Sequence, residues 1–443
     1  MKIIEVAESL LREYALCDHC LGRQFAMLGH GLPNEERGRA IKLLLVLDGS
    51  RRLREGDDSG RDILTSVAIN GSSKFAISTL NALGLPVEET EASCYLCEGV
   101  FNSLEELVQE VVKRLSKFEF ESFLVGVKGS AKIEEREDEL RVKFDVKWGE
   151  SIRSELGREI GKKIVEATGK KVDHGRPNIL ITVDPLTNRT SLEANPLFIF
   201  GRYRKLVRGI PQSKWICSQC KGEGCPKCGW TGKTYPDSIE ELISNPLLRT
   251  TKGGKVKLHA AGREDIDAKV LGSGRPFVVE VKNPKTWKIN LDRLEEEINQ
   301  GAEGKIEVNN LKFSSKEEVK KLKDSGQAAK VYRAIVEFEE AIPDTSISEI
   351  IEGLNGKLVH QLTPSRVMHR RALRMRRKRV HGIEFKRLKS NLIEMMIRCQ
   401  GGLYVKELIS GDGGRTTPSL TEITGVHAKC AEVDVIDIDV RDL

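Results

Sequence analysis

The chain has 443 residues, of which 39% are hydrophobic and 31% charged, and its formal net charge is +6. This length predicts about three domains, and every apolar run falls short of the roughly 18 residues that a membrane span requires. Glu5, Glu8 and Glu13 lie within the first apolar stretch, which is not typical of a signal peptide. We therefore expect a cytoplasmic protein with no membrane partner.

Residues 1–102 are predicted to form an amino-terminal zinc-binding region. Apolar residues at helical spacing in 37–49 predict a helix. The polar stretch 49–62 predicts an exposed loop. Two Cys-x-x-Cys pairs flank these elements.

Residues 103–206 are predicted to form a second domain. Ser103 and Glu106 have the spacing of a capping box at the start of an amphipathic helix, and a later helix is predicted to end near Gly169. The segments predicted as strands are 122–129, 140–148, 178–185 and 197–207. Helices mixed with strands favour an α+β fold class.

Residues 207–443 are predicted to form a strand-rich third domain with a cysteine-rich insertion at 217–228. Within it, the run 365–389 carries eleven lysines and arginines and one acid, Glu384. Such a run repels itself, which favours a polyanionic partner over a merely solvated face. The predicted RNA-binding residues are Arg366, Arg370, Arg371, Arg374 and Arg376. A second basic segment at 201–209 favours an extended nucleic acid as the partner.

Eight of the ten cysteines form four Cys-x-x-Cys pairs, a pattern typical of metal sites in a large cytosolic chain. A structural zinc ion needs four ligands in a tetrahedron, so two pairs complete one site. The predicted ligands are Cys217, Cys220, Cys225 and Cys228 for a local site, and Cys17, Cys20, Cys94 and Cys97 for a site joining distant pairs. We expect one or two structural zinc ions; redox dithiols and unmetallated loops are the alternatives. Cys399 and Cys430 are predicted to be buried apolar residues.

A concentration of charge precedes an apolar segment at 258–285. If this stretch is a strand, Asp265 and Asp267 share one face and Glu264 points to the other. In one interpretation Asp267, Glu280 and Lys282 form a metal-dependent nuclease motif. In a second interpretation, a single aspartate acts beside Arg263. In a third interpretation, the stretch is a hairpin whose charges are exposed to solvent and have no catalytic role.

The glycines of 272–274 predict a turn in the same stretch. A nucleotide-binding loop is not supported there, because the third glycine of a dinucleotide fingerprint is missing and a strand follows. The chain also contains no GxxxxGK[ST] motif. We therefore expect no nucleotide cofactor.

Four segments of the chain resemble the motifs of one enzyme family. Residues 259–285, 329–338, 361–382 and 401–420 resemble those of the archaeal and eukaryotic tRNA pseudouridine synthases that modify the TΨC loop. Residues 17–26 and 197–215 look like the amino-terminal motifs of that family, so the resemblance covers nearly the whole chain. It implies a THUMP RNA-binding domain at 103–206. It also implies a pseudouridine synthase domain at 207–443, with a mixed sheet and a central cleft.

The resemblance also implies roles for individual residues. Asp265, two positions after Arg263, matches the catalytic aspartate of the family, and Tyr332 and Tyr404 match its substrate tyrosines. Lys406 stands where more distant synthases carry an arginine that pairs with the aspartate. A lysine keeps the charge of that arginine but loses its bidentate fork.

The implied reaction is the isomerisation of uridines 54 and 55 in the TΨC arm of tRNA. It needs one ionised carboxylate, as nucleophile or as base, and an aromatic ring can receive the unstacked base or accept a proton from carbon 5. No catalytic cofactor is expected. The rival hypotheses are a metal-dependent nuclease, a non-catalytic zinc-containing RNA-binding protein, and a THUMP methyltransferase or thiolase, whose cofactor loop the sequence lacks.

Overall fold

The computed structural model describes residues 2–88, 92–184, 187, 189–369 and 371–439. The chain divides into two compact units, residues 1–195 and 196–443. Within the described ranges, no helix combines the length and the apolar character needed to cross a membrane.

The first unit begins with helices and ends with a small sheet. Its helices are α1 (Ile3–Glu13), α2 (Asp18–Arg23), α3 (Asn34–Arg54), α4 (Ser59–Ile69), α5 (Lys74–Ala82), α6 (Leu104–Leu115), α7 (Ala131–Lys143) and α8 (Ile152–Thr168). Its strands are β1 (Ser122–Val127), β2 (Lys171–Val172), β3 (Ile179–Asp184) and β4 (Arg189–Ala194). They pair in the order β2-β1-β3-β4; β1 is parallel to β2 and to β3, and β4 is antiparallel to β3.

Several predicted elements of this unit are confirmed. The helix predicted to end near Gly169 is α8, and Gly169 has the left-handed conformation, φ 67°, that favours glycine after a helix. The strands predicted at 122–129 and 178–185 correspond to β1 and β3. The prediction of a capping box at Ser103 is wrong, because the Ser103 side chain makes no hydrogen bond that caps α6.

Two other local predictions are wrong. Residues 140–148 are not a strand, because α7 continues to Lys143 and buries Ile133 and Leu140 on one helical face. The stretch 49–62 is not a loop throughout, because it contains the end of α3 and the start of α4. Its glycines bring these helices together: a Cβ on Gly60 would lie 2.3 Å from the carbonyl oxygen of Gly49.

The second unit is built on one large mixed sheet. Its strands are β5 (Leu197–Lys205), β6 (Lys255–Ala260), β7 (Lys269–Lys282), β8 (Ile306–Phe313), β9 (Ala329–Phe338), β10 (Leu358–Leu362), β11 (Met375–Lys389), β12 (Leu392–Gln400), β13 (Thr416–Thr417) and β14 (Ala428–Ile438). In the part of the chain that the structure describes, they pair in the order β13-β10-β11-β12-β9-β14-β7-β5-β8, with β6 added to β7. The helices are α9 (Ile239–Thr251), α10 (Leu291–Gly301), α11 (Lys316–Asp324), α12 (Asp344–Leu354), α13 (Val405–Ser410) and α14 (Leu420–Thr424).

Among the residues that the structure describes, the sheet carries two hydrophobic cores, one on each half. A short parallel pairing joins the halves: Asp434 and Val435 of β14 face Lys269 and Val270 of β7. Tyr332 of β9 packs against both cores. Strands β7, β9 and β14 therefore meet at the middle of the sheet, and the α+β prediction is confirmed. Strand β5, assigned by the predicted division to 103–206, pairs with β7 and β8 in this sheet.

The charged segment differs from its prediction. Residues 261–268 form a loop between β6 and β7, so the alternation of a strand does not decide where its side chains point. The predicted turn at 272–274 lies inside β7 instead. Gly272 has φ 55°, and a Cβ there would lie 2.1 Å from the carbonyl oxygen of Ile436, so glycine permits this close approach of β14.

Candidate active site

A cavity of about 350 Å³ opens beside the loop of residues 261–268, called the acidic loop below. Its walls come from that loop, the central strands β7, β9 and β14, the segment before β11, and the start of α13. The lining includes Arg263, Asp265, Arg275, Lys330, Tyr332, Arg366, Arg371, Arg376, Tyr404 and Lys406. This cavity therefore brings together the five residues predicted as catalytic or substrate-binding, which are Arg263, Asp265, Tyr332, Tyr404 and Lys406.

Asp265 faces two cations in this cavity. Its Oδ2 lies 3.1 Å from Nη1 of Arg366 and 3.8 Å from Nζ of Lys406. Arg366 also donates from Nε to Oε1 of the buried Glu407, at 2.6 Å. The guanidinium thus bridges a fixed carboxylate and a cavity carboxylate, which holds it beside Asp265.

The charge of Arg366 is secured by these contacts. Burial would lower the pKa of Arg366, but the hydrogen bond to Glu407 and the charges of Glu407 and Asp265 raise it above its ordinary value. The sequence interpretation placed Arg366 among the RNA-binding residues and missed this contact with Asp265. Its place at the start of the basic run gave no local signal of a partner about a hundred residues earlier.

Lys406 makes its shorter contact with Asp267. Its Nζ donates to Oδ2 of Asp267 at 2.6 Å. Burial would raise the pKa of Asp267, but the hydrogen bond and the charge of Lys406 outweigh burial and lower it. Lys406 therefore lies between the two aspartates, closer to Asp267.

Beneath the acidic loop, Glu264 is buried in a polar network. Oε2 of Glu264 lies 3.0 Å from Nε of the buried Arg275. The hydroxyl of Tyr203 donates to Glu264 at 2.9 Å and accepts from Nε2 of Gln212 at 2.8 Å. Burial, and then the charge of Glu264, raises the pKa of Tyr203, so its hydroxyl remains a donor.

The backbone of the acidic loop is held by two cations from β5 and the segment after it. Nζ of the fully buried Lys205 donates to the carbonyl oxygen of Ile266 at 2.7 Å. Nη1 of Arg208 donates to the carbonyl oxygen of Asp267 at 2.6 Å and lies 2.8 Å from Asp434. The prediction that the basic segment 201–209 faces a nucleic acid is therefore wrong for Lys205, because Lys205 is fully buried and its amino group binds the loop backbone. Arg208 is partly exposed but is paired with Asp434.

The two tyrosines occupy different walls of the cavity. Tyr332 lies on β9, and burial raises the pKa of its hydroxyl above the ordinary value. Tyr404 precedes α13, and its backbone is fixed by the buried side chain of Gln361, which donates to its carbonyl oxygen at 2.9 Å and accepts from its N–H at 2.8 Å. The guanidinium carbon of Arg376 lies 5.5 Å from the Tyr404 ring centre.

Of the other arginines predicted to bind RNA or substrate, some line the cavity and others do not. Arg371 and Arg376 line the cavity, as does Arg263, whose guanidinium lies 5.6 Å from the ring centre of Trp215. Arg374 is exposed and is not part of the lining. Arg370 lies outside the described residues.

Comparison with known proteins places the chain in a family. Residues 198–439 match the family model described as "Pus10, C-terminal", and residues 107–184 match "Pus10 THUMP domain, archaeal". A "tRNA pseudouridine synthase Pus10" of Methanothrix thermoacetophila is 41% identical over 438 residues, covering 98% of this chain and 94% of its own. The chain belongs to the Pus10 family.

Further Pus10 relatives of the same name are similar over nearly their whole length. The protein of Methanocaldococcus jannaschii is 40% identical, covering 97% of this chain and 93% of its own. That of Pyrococcus furiosus is 37% identical, covering 98% of both. A chain of a solved Cbf5-Nop10-Gar1 complex aligns with 45% of this chain at 15% identity, but its TM-score of 0.29 is too low to support an argument.

Membership of the Pus10 family confirms the predicted enzyme class and the THUMP domain. Pseudouridine synthases rearrange a nucleoside within RNA, so the chain is an isomerase that acts on RNA. The nuclease interpretation is not supported by the geometry: Glu280 contacts Nε2 of His259 at 3.0 Å and does not line the cavity.

Both cysteine sets of this Pus10 chain are assembled as the spacing predicts. In each set, the four sulfur atoms lie within 4.8 Å of one another, and the sets are Cys17, Cys20, Cys94, Cys97 and Cys217, Cys220, Cys225, Cys228. Four thiolates at this separation suit a tetrahedral structural zinc ion. Among the described residues, the groups that could hold a metal are these two, and the acidic loop is not one of them. Cys399 is fully buried as predicted, whereas Cys430 is partly exposed.

Proposed function

We propose that this chain isomerises uridines 54 and 55 of the TΨC loop in tRNA, with Asp265 as the reactive carboxylate. The observation that carries the proposal is the position of Asp265 in the cavity. It lies 3.1 Å from Arg366 beside two tyrosines, at the position that resembles the family's catalytic aspartate.

The proposed chemistry begins when the target uridine leaves its stack and enters the cavity. Arg366 is fixed by Glu407, so it holds the Asp265 carboxylate in one orientation toward the ribose. A carboxylate placed in this way acts on the sugar either by attacking carbon 1′ or by taking the proton of carbon 2′. Both routes break the bond between the ribose and N1 of uracil.

The tyrosines are assigned to holding the base. A raised pKa keeps the Tyr332 hydroxyl protonated, which makes Tyr332 a poor base but leaves its ring available for stacking. Tyr404, with Arg376 near its ring, offers a second aromatic face at the other wall. The uracil can therefore turn between two rings while it stays in the cavity.

The basic run is proposed to bind tRNA phosphates near the cavity. On β11 the half-buried Arg376 alternates with the exposed Arg377, so the strand presents its cations on two faces. Arg366, Arg371 and Arg376 reach the cavity. We assign Arg370 and Arg374 to the same RNA surface from the sequence alone. Contacts between these arginines and the phosphates of the RNA backbone should not depend on the base sequence of the RNA.

The two cysteine sets are proposed to hold structural zinc rather than a reacting metal. Each offers four thiolates and leaves no ligand position open for a substrate. We expect Cys17→Ser to lower the free energy of unfolding and the zinc content together, since metal binding is coupled to folding. A variant with unchanged stability and zinc content would contradict this assignment.

We also propose an amino-terminal zinc-binding region, an RNA-binding THUMP domain, and a catalytic domain. Because β5 pairs with β7 and β8, we propose a boundary before Leu197 instead of the predicted one after residue 206. The cytoplasmic location stays a prediction.

The experiment uses unmodified tRNA and two variants of it in which cytidine replaces uridine 54 or uridine 55. Pseudouridine is mapped at each position in reactions that contain magnesium and no chelator. We expect one product in each variant tRNA, two in the parent, and intact RNA throughout. Pseudouridine elsewhere, or at one position only, would contradict the assignment of both uridines, and shortened RNA would favour a nuclease.

The same tRNAs test the RNA surface. Arg371→Ala should weaken binding to all of them, and the slope of log affinity against log salt should become shallower by about one unit. An unchanged slope would remove Arg371 from the RNA surface.

A further inference from the structure

Lys330 is a buried lysine whose amino group lies at the cavity. It is 6% exposed and stands two positions before Tyr332 on β9, so both side chains lie on the same face of the strand. In the described part of the chain its Nζ makes no hydrogen bond and no ion pair. Glu264, a carboxylate whose charge acts on Lys330, is instead paired with Arg275.

The space around Nζ of Lys330 depends on a glycine. A Cβ on Gly262 would lie 2.7 Å from Nζ of Lys330 and 3.1 Å from Nη1 of Arg275. Gly262 also has φ 86°, a conformation that side chains rarely adopt. The acidic loop therefore leaves a small polar recess where two cations approach the cavity.

The groups that face Lys330 come from four elements. They are Arg275 on β7, Glu264 in the acidic loop, Lys378 on β11, and Cys399 on β12, which is its partner in the sheet register. Burial, and then the charge of Arg275, lowers the pKa of Lys330 to about 8. The lysine is therefore largely charged at neutral pH and loses its charge as the pH rises through that value.

A buried cation without a counter-charge is unfavourable. No described residue supplies a counter-charge in contact with Nζ of Lys330, although Gly262 leaves space beside this amino group. An anionic or strongly polar group on the substrate would remove that penalty when it enters the cavity.

We propose that Lys330 is a catalytic residue that binds a carbonyl oxygen of the target uracil and stabilises the negative charge on the released base. When the bond between carbon 1′ and N1 breaks, its electron pair moves to N1 and delocalises onto the carbonyl oxygens. The ribose is left electron-poor at carbon 1′ until Asp265 bonds to it or removes the 2′ proton. Carbon 5 then bonds to carbon 1′, and any bond between carbon 1′ and Asp265 breaks, with its electron pair returning to the carboxylate. Carbon 5 loses its proton, N1 gains one, and any proton taken from carbon 2′ returns to carbon 2′, so the sum is an isomerisation.

This inference rests on the proposed reaction at Asp265, and its test separates the two. Lys330→Met should lower kcat by about 100-fold or more, as loss of a donor to a developing anion does, and leave the affinity for tRNA unchanged. Lys429→Met is the matched control, because Lys429 is exposed on the neighbouring strand β14. Weakened binding with a normal kcat would show instead that Lys330 holds a phosphate, and an unchanged kcat would overturn the proposal. A wild-type enzyme that makes no pseudouridine would overturn the proposed function itself.

A substrate with a better leaving group makes the test specific. Fluorine on carbon 5 stabilises the uracil anion, so tRNA with 5-fluorouridine needs less help from Lys330. The rate of cleavage of the N-glycosidic bond is measured in single turnover, and the factor by which Lys330→Met slows it is compared between the two tRNAs. We expect this factor to be at least tenfold smaller in tRNA with 5-fluorouridine than in ordinary tRNA. Equal slowing of both would mean a merely structural lysine.

The pH dependence gives a second readout. The wild-type rate should fall as the pH rises through about 8, while Lys330→Arg should keep a measurable rate without that fall, because arginine stays charged. An arginine variant as slow as Lys330→Met at every pH would contradict a role for the charge.

Discussion

Two neighbouring carboxylates of the acidic loop lie in opposite environments. The Glu264 side chain is 1% exposed and is paired with Arg275 and Tyr203 below the loop. The Asp265 side chain is 35% exposed and faces Arg366 at the cavity. Both carboxylates have a cationic partner, so charge alone does not distinguish them. What distinguishes Asp265 is access, because a substrate can reach it without disrupting the core.

The two sides of the loop also differ in how their partners are held. Below it, Tyr203 and Lys205 project from the same strand, β5, one to the Glu264 carboxylate and the other to the loop backbone. Above it, Arg366 and Lys406 come from segments far along the chain. We therefore expect changes below the loop to act mainly on stability and changes above it mainly on rate.

The largest effect on stability is expected from Glu264→Gln. This change keeps the shape of the side chain but leaves the charge of Arg275 buried without a counter-charge, so the free energy of unfolding should fall by about 3–5 kcal/mol. Urea denaturation measures it. A loss below about 1 kcal/mol would show that the network is not essential to the fold and would weaken the contrast between the two sides.

A smaller effect on stability, with a clear effect on rate, is expected from Arg366→Lys. Lysine keeps the charge but cannot bridge Asp265 and Glu407 with a planar fork. We expect kcat to fall by about 10- to 100-fold, because the carboxylate is no longer held in one orientation, while the urea midpoint changes little. A normal kcat would assign Arg366 to RNA binding alone.

The smallest effect is expected at Asp267. Its side chain is 66% exposed, so its ion pair with Lys406 should contribute less than about 1 kcal/mol. Because the folded pKa is lowered, this contribution is present above the ordinary pKa of an aspartate and is lost as the pH falls through the folded value. Asp267→Asn should remove this contribution at neutral pH. If urea denaturation showed a larger loss of unfolding free energy, Asp267 would belong with the residues that stabilise the fold.

Local patterns in the sequence predicted much of this molecule. Helical periodicity and Gly169 predicted α8. The cysteine spacing predicted both sets of four cysteines, whose sulfur atoms lie within 4.8 Å of one another in each set. The resemblance, not periodicity, singled out Asp265, Tyr332 and Tyr404, and the structure brings them to one cavity.

What could not be predicted depends on contacts between distant segments. Arg366 belongs to a charged run that looks uniform, yet only its fold position places it against Asp265 and Glu407. Lys205 reads as part of a basic surface but is fully buried beneath the acidic loop. Residues 140–148 alternate in polarity like a strand, but the end of α7 packs there instead.

The central claim is that Asp265, rather than its neighbours, performs the chemistry. The direct measurement is the pseudouridine content at positions 54 and 55 after unmodified tRNA is incubated with Asp265→Asn or Asp267→Asn, with tRNA binding measured alongside. Asp265→Asn should lower the rate by about 10⁴-fold or more and leave tRNA affinity unchanged, whereas Asp267→Asn should retain most of the activity. Pseudouridine formed at the normal rate by Asp265→Asn would contradict the account.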